Sequence, residues 1–151
     1  MLVELERQYT LSAAECWRRL TDPVAMNAWS SARVELIHAG DGERPDSVGT
    51  TRRVYIRSLG LTLPLDERVR ESERPRRFVY TVERGAGIRD HRGTITIREH
   101  DGRAHVRWRV EATLRLRLLD PLFAWILRRQ LGASLDALAA SPSERARSTT
   151  E

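Results

Sequence analysis

A histidine and a glutamate stand where the alternation of their strands asks for apolar side chains, and both residue types can move protons. Asp101-Gly102 is a strong two-residue hairpin signal of type I′. It sets His100 opposite Arg103, Ile97 opposite Val106, Ile95 opposite Trp108, Gly93 opposite Val110 and His91 opposite Ala112. The alternate residues, such as Thr96 with Arg107 and Arg92 with Glu111, make a fully polar face. A slip of one residue would invert both faces, so the pattern fixes the register. His91 is the exception on the apolar face. An imidazole with an unperturbed pKa of about 6.5 suits proton transfer at physiological pH.

The turn at 73–76 places Ser72 opposite Arg77, Val69 opposite Tyr80 and Glu67 opposite Val82. Glu67 then shares a face with Leu65, Val69, Phe78, Tyr80 and Val82. Desolvation raises the pKa of a carboxyl in such surroundings, which suits a general acid or base. The structural alternative is an ion pair with Arg89 or another arginine. The Tyr80 hydroxyl can donate to a ligand carbonyl or enolate, or be satisfied by a core neighbour. Arg53 and Tyr55 share one face of the strand at 48–57, and Val54 and Ile56 the other. That strand does not say which face points inward, and Arg53 and Tyr55 are taken as candidate ligand contacts.

Other chemistries do not assemble. His38, His100 and His105 are scattered over polar or turn positions and make no metal-ligand set. Cys16 is the single cysteine, which excludes an internal disulfide, a CxxC pair and a multi-cysteine zinc site. Ser12, Ser30 and Ser31 have no convincing His/Asp partners, and no phosphate-binding glycine loop precedes a helix. No cofactor and no metal are expected.

The elements that must position these residues follow in order. The 151 residues fit one domain, placed at 1–140. Residues 2–10 read as a strand. Ser12 and Glu15 form a capping box that opens a helix over 13–21, with Cys16, Trp17 and Leu20 on its apolar face. Asp22-Pro23 starts a second, short helix that ends near Trp29. Strand segments follow at 33–39, 48–57, 62–72, 77–84, 91–100 and 103–113, and their close spacing implies antiparallel hairpins. Asp120-Pro121 then caps a helix over 121–140, which Ser141-Pro142 ends. Residues 141–151 lack an apolar anchor and are expected to be disordered.

At about 100° per residue, Leu119, Leu122, Phe123, Ile126, Leu127 and Leu131 fall on one broad arc of the last helix, continued by Leu135 and Leu138. Trp125 lies opposite, beside Arg128 and Arg129, and belongs on the outside. An exposed tryptophan there suggests a homodimer contact or another partner interface. A membrane-surface role is the weaker reading, because the core needs the apolar arc.

The net charge of +5 and pI near 10.5 invite a nucleic-acid reading. All 26 basic residues are arginine, spread along the chain and interleaved with 21 acids. Selection for phosphate would not exclude lysine, so the bias looks like that of a GC-rich genome, and no nucleic-acid partner is expected. No apolar run approaches a membrane span. The first ten residues lack the apolar core of a signal peptide, which makes cytoplasmic location and no integral membrane contact the expectation.

The fold class is therefore α+β. It has a curved antiparallel sheet of about seven strands, two short helices after the first strand, and a long C-terminal helix. In this order, Ser12–Asp22 with Trp29, Val48-Gly49-Thr50, Glu67-Arg68-Val69, Arg76-Arg77-Phe78-Val79-Tyr80, Ile88–Gly93 and Val106-Arg107-Trp108 resemble the SRPBCC (START-like, polyketide cyclase/dehydrase) superfamily over residues 2–140. The resemblance implies a helix-grip with a cavity between the concave sheet and the long helix. Members bind lipids, hormones or polyketides there, and some catalyse cyclisation, dehydration or hydrolysis. The zinc and iron–sulfur ligands of some branches have no match here.

Three readings of function follow. The first is binding of a hydrophobic or aromatic, lipid- or polyketide-like molecule. Its contacts would be Arg53, Tyr55, Val69, Phe78, Val82 and Arg89, with Ile95, Trp108 and Val110 from the sheet and Phe123, Ile126 and Leu127 from the helix. The second is a cofactor-independent cyclase or dehydratase, a lyase or isomerase, in which His91 and Glu67 move protons and Tyr80 or Arg89 steadies an enolate. The third is an interaction module working through the face around Trp125.

Overall fold

Ser12 and Asp22 stop the chain twice within ten residues, and the two short helices follow from that. In the computed structural model, which describes residues 1–30, 32–58, 60–85 and 87–139, strand β1 spans Leu2–Tyr9. Helix α1 (Ala13–Thr21) begins with the Ser12 hydroxyl accepting from the Glu15 amide. The Glu15 carboxylate does not close the capping box. It pairs forward with Arg18 and Arg19 instead. Helix α2 (Pro23–Trp29) begins with the Asp22 carboxylate accepting from the Val24 amide. Trp17 and Trp29 are buried, as their apolar faces require.

Six more strands complete one antiparallel sheet: β2 (Arg33–His38), β3 (Thr51–Ser58), β4 (Leu61–Glu73), β5 (Arg77–Arg84), β6 (Ile88–His100) and β7 (Arg103–Leu114). Their order is β1-β7-β6-β5-β4-β3-β2. Every neighbouring pair except β1–β7 is thus sequential in the chain. Strand β3 starts three residues later than its alternation suggests, because Val48 and Gly49 belong to the preceding turn and Gly49 has a φ of 88°.

The β6–β7 hairpin has the register its turn dictates. Asp101 and Gly102 both have positive φ, 51° and 72°, as a type I′ turn demands. Ile97 pairs with Val106, Ile95 with Trp108 and His91 with Ala112. The β4–β5 hairpin differs near its turn. Ser72 lies opposite Phe78, not Arg77, and Glu73 opposite Arg77. A bulge at Arg70 absorbs that residue, so Val69 still faces Tyr80 and Glu67 still faces Val82. A bulge adds one residue to one strand and restores the faces beyond it.

After a 3-10 turn over Arg117–Leu119, helix α3 spans Asp120–Leu138. Asp120 is the first residue of α3, not its cap, and its carboxylate accepts from the Leu114 amide. The helix is held mainly by its C-terminal half. Leu135 and Leu138 are fully buried. The Tyr9 hydroxyl donates to the Leu135 carbonyl at 2.6 Å, and the buried Arg19 donates to the Leu138 carbonyl at 2.8 Å. Phe123, Ile126, Leu127 and Leu131 are only half-buried. Leu119 and Leu122, expected in the core, are exposed. A straight helix anchored at one end on a curved sheet stands off at the other. The anticipated end at Ser141-Pro142 and the 141–151 tail lie outside the described residues.

Candidate functional site

The gap under the raised half of α3 is a cavity of about 80 Å³. Phe123, Leu127 and Leu131 roof it, with Gln130 and Ser134 of the same helix. Strand β3 contributes Arg52, Val54 and Ile56, and β4 contributes Leu65 and Glu67. Tyr80, His91, Trp108 and Val110 line the opposite side. A pocket for a drug-sized ligand is about 300–1,000 Å³, so this one holds a far smaller group.

Arg52, Glu67, Tyr80 and His91 meet in it on the sheet side. Arg52 donates from Nε to the Glu67 carboxylate at 2.8 Å, and both side chains are buried. The Arg52 guanidinium also lies over the Phe78 and Tyr80 rings, 5.3 and 5.2 Å from their centroids. Burial pushes the Glu67 carboxyl above the ordinary carboxylate range, and the attraction of Arg52 opposes that rise. The Tyr80 hydroxyl accepts from Trp108 Nε1 at 2.9 Å. Burial raises the Tyr80 pKa, with the nearby Glu67 charge adding to it, so the phenol keeps its proton. Among the described residues that proton meets no acceptor.

His91 packs against Tyr80 with ring centroids 5.5 Å apart and the planes tilted by 41°. Its Nδ1 is buried and has no hydrogen-bond partner. Burial lowers the His91 pKa to about 4. The ordinary titration range anticipated for this residue is therefore corrected. The imidazole is neutral at physiological pH because its charged form would be desolvated without a counter-ion.

The local backbone explains how Tyr80 reaches this position. Its ring lies against Gly93, where an added Cβ would fall 2.2 Å from Cζ and 2.6 Å from the hydroxyl. Only glycine leaves room for the ring at this crossing of β5 and β6.

His91, Glu67 and Tyr80 are brought together, and Trp108, Val110, Phe123 and Leu127 line the same cavity. Other expected contacts stand elsewhere. Val69, Phe78 and Ile95 are fully buried in the core and do not reach the cavity surface. Val82 and Ile126 are half-buried and are not part of the lining. Arg89 is exposed beside Asp90. Arg53 and Tyr55 point to the outer face, where Arg53 pairs with Asp66 at 2.7 Å and Tyr55 donates to Glu35 at 3.1 Å. The strand's other face is the inward one, since Val54 and Ile56 follow the apolar side. Arg52 shares their parity and was missed. The signal for it was a carboxylate, Glu67, lying directly opposite on the next strand.

A wider, open groove of about 730 Å³ runs along α1 past Pro45 and Arg74. Its buried acid, Asp46, is already engaged by Trp17 Nε1 at 2.7 Å and by Arg44 and Arg74. Cys16 is buried, and its thiol is pushed up to about 11 by desolvation, which leaves it unreactive. Among the described residues, no group of three or more His, Cys, Asp or Glu side chains converges as a metal site. None of the helices there is long and apolar enough to cross a membrane.

Comparison with known proteins places this architecture. No curated protein is significantly similar to the chain. Among solved structures, a START superfamily protein from Mycobacterium smegmatis superposes with a TM-score of 0.78 at 13% identity, covering 99% of both chains. A protein of Thermus thermophilus gives 0.77 at 16% identity over the whole of both chains. A protein of Chromobacterium violaceum gives 0.68 at 22% identity, covering 92% of this chain and 94% of its own. Identities this low speak for the helix-grip fold alone. The sequence pattern of the polyketide cyclase / dehydrase and lipid transport family matches residues 2–141. With nearly the whole chain matched and the sheet, grip helix and cavity all in place, the chain belongs to that family, within the START-like (SRPBCC) superfamily.

Proposed function

We propose that this domain binds a small, uncharged, largely apolar molecule that carries a hydroxyl or phenol group. The buried, unpartnered Nδ1 of His91 carries the reading. A buried polar atom left without a partner costs about 1–3 kcal/mol, and a ligand hydroxyl, which can both donate and accept, would relieve it in either tautomer of the ring. The Tyr80 hydroxyl proton is available beside it for an acceptor on the same ligand. Among the described residues the site offers no free positive charge, because Glu67 neutralises Arg52 and His91 is neutral. A carboxylate ligand would enter without a counter-ion and is disfavoured. Apolar walls supply most of the affinity, and the two polar atoms set orientation. A larger, lipid- or polyketide-like ligand enters only by displacing Phe123 and Leu127, which α3 holds half-buried.

The proton-transfer alternative has weaker support. Among the described residues no carboxylate orients His91, a base with a pKa of about 4 is weak at neutral pH, and Glu67 is held by Arg52.

Calorimetric titration with p-cresol, toluene and benzoate tests the reading, after native mass spectrometry of the purified chain for any retained molecule. We expect p-cresol to bind more tightly than toluene, benzoate not to bind, and His91→Phe to abolish the preference for p-cresol. Benzoate binding as tightly as p-cresol would overturn it.

A further inference from the structure

The end of α3 that stands off the sheet exposes a row of large apolar side chains. Leu118 is 94% exposed, Leu116 67% and Trp125 54%, and Leu119 and Leu122 are close to half exposed. Leu122, Trp125 and Arg129 follow one another at three and four residues, which is one stripe of α3, and Leu118 precedes them in the 3-10 turn. The sequence argument against a membrane-surface role was that the core needs this arc. The structure lifts it for the N-terminal end of the arc, because Leu119 and Leu122 are not in the core.

The charge around the row is mostly positive. Arg115, Arg117, Arg128 and Arg129 are exposed, and none makes an ion pair among the described residues. The outer face of the sheet contrasts with this. There Arg53 pairs with Asp66, Arg70 with Glu83, Arg77 with Glu71 and Arg107 with Glu6. The one acid within the segment, Asp120, is occupied by the Leu114 amide. Arg129 lies over the Trp125 ring, 5.0 Å from its centroid.

We propose that this end of the molecule docks on an anionic lipid surface. Leucines and a tryptophan enter the boundary between headgroups and acyl chains, and the unpaired arginines meet the lipid phosphates. A second copy of the chain is the poorer occupant. A two-fold interface is isologous, so it would bury the same arginine-rich patch against its own copy, with Asp120 the one acid of the segment to offset it. Docking also brings the lipid surface against the helix that roofs the cavity, since Leu122 and Trp125 lie on the turns whose inner side carries Phe123 and Leu127.

The test is flotation of the full chain with phosphatidylcholine vesicles containing about a quarter phosphatidylglycerol, against phosphatidylcholine alone. Iodide quenching of tryptophan fluorescence is the second readout, because Trp17, Trp29 and Trp108 are buried and Trp125 alone among the four is exposed. We expect binding to the anionic vesicles only, loss of binding at high salt, and protection of Trp125 from iodide. Arg128→Glu with Arg129→Glu, and separately Leu118→Ser with Trp125→Ala, should each reduce binding about tenfold or more. All four positions are exposed, and circular dichroism verifies the fold of each variant. Failure to bind anionic vesicles would overturn the proposal. Binding that survives the Leu118/Trp125 change would do so too, since it needs charge alone. A concentration-dependent dimer that Trp125→Ala dissolves would assign the face to a second copy instead.

Discussion

At the scale of single residues, the cavity is set by charges that cannot reach water. His91 has its pKa lowered to about 4 from about 6.5. A depressed pKa means that the folded state prefers the neutral ring. The associated stability is present above about 6.5 and is lost as pH falls through about 4. Urea unfolding at pH 7 and pH 4 should therefore show the wild type losing up to about 3 kcal/mol more than His91→Gln across that interval. Equal losses would mean that His91 titrates normally. The Arg52–Glu67 pair predicts the opposite trend. Arg52→Met leaves a buried carboxylate alone, at a cost of about 3–5 kcal/mol at neutral pH. Burial already raises the Glu67 pKa, so the variant should regain stability relative to wild type as the pH is lowered and Glu67 takes up a proton. Pairing Arg52→Met with Glu67→Leu should recover most of the loss, because two matched apolar groups leave nothing unpaired.

At the scale of elements, two crossings hold the cavity open. Strand β6 passes behind the Tyr80 ring at Gly93, with no room for a Cβ. Gly93→Ala must push the ring toward the cavity. We expect a loss of about 1–3 kcal/mol together with loss of p-cresol binding, read by urea unfolding and calorimetry. Helix α3 is tied at its C-terminal half by Tyr9, and Tyr9→Phe removes the 2.6 Å bond to the Leu135 carbonyl. That should cost about 1–2 kcal/mol. It should also speed amide exchange in α3 more than in the β6–β7 hairpin. Uniform acceleration of exchange would show that the bond stabilises the whole domain and not that helix.

At the scale of the whole molecule, a ligand that binds only the folded state stabilises all of it. At a concentration about a hundred times its Kd, the gain is about 2.7 kcal/mol, or about 5–10 °C in Tm for a domain of this size. Thermal melting in p-cresol should show that rise in the wild type and a smaller one in His91→Phe.

The sequence by itself determined the order of the elements and the faces of β4 to β7. Asp101-Gly102 sufficed for the β6–β7 register, because a type I′ turn admits one pairing and each strand shows one polar and one apolar side. Ser12 and Asp22 marked both short helices, since an unpaired first-turn amide needs a nearby side-chain oxygen. Glu67 and His91 were legible as polar exceptions on apolar faces. The tertiary structure alone decided which face of β3 turns inward, and so that Arg52, not Arg53 or Tyr55, meets Glu67. The alternation of that strand fits either choice, and only the packing of its neighbours breaks the tie. It also decided that α3 rests on the sheet at one end. A helical wheel gives the direction of each side chain around the axis but not the distance of the axis from the sheet. That distance makes the cavity beneath Phe123 and Leu127, and it leaves Leu119 and Leu122 outside beside Trp125, whose outward direction the wheel already gave.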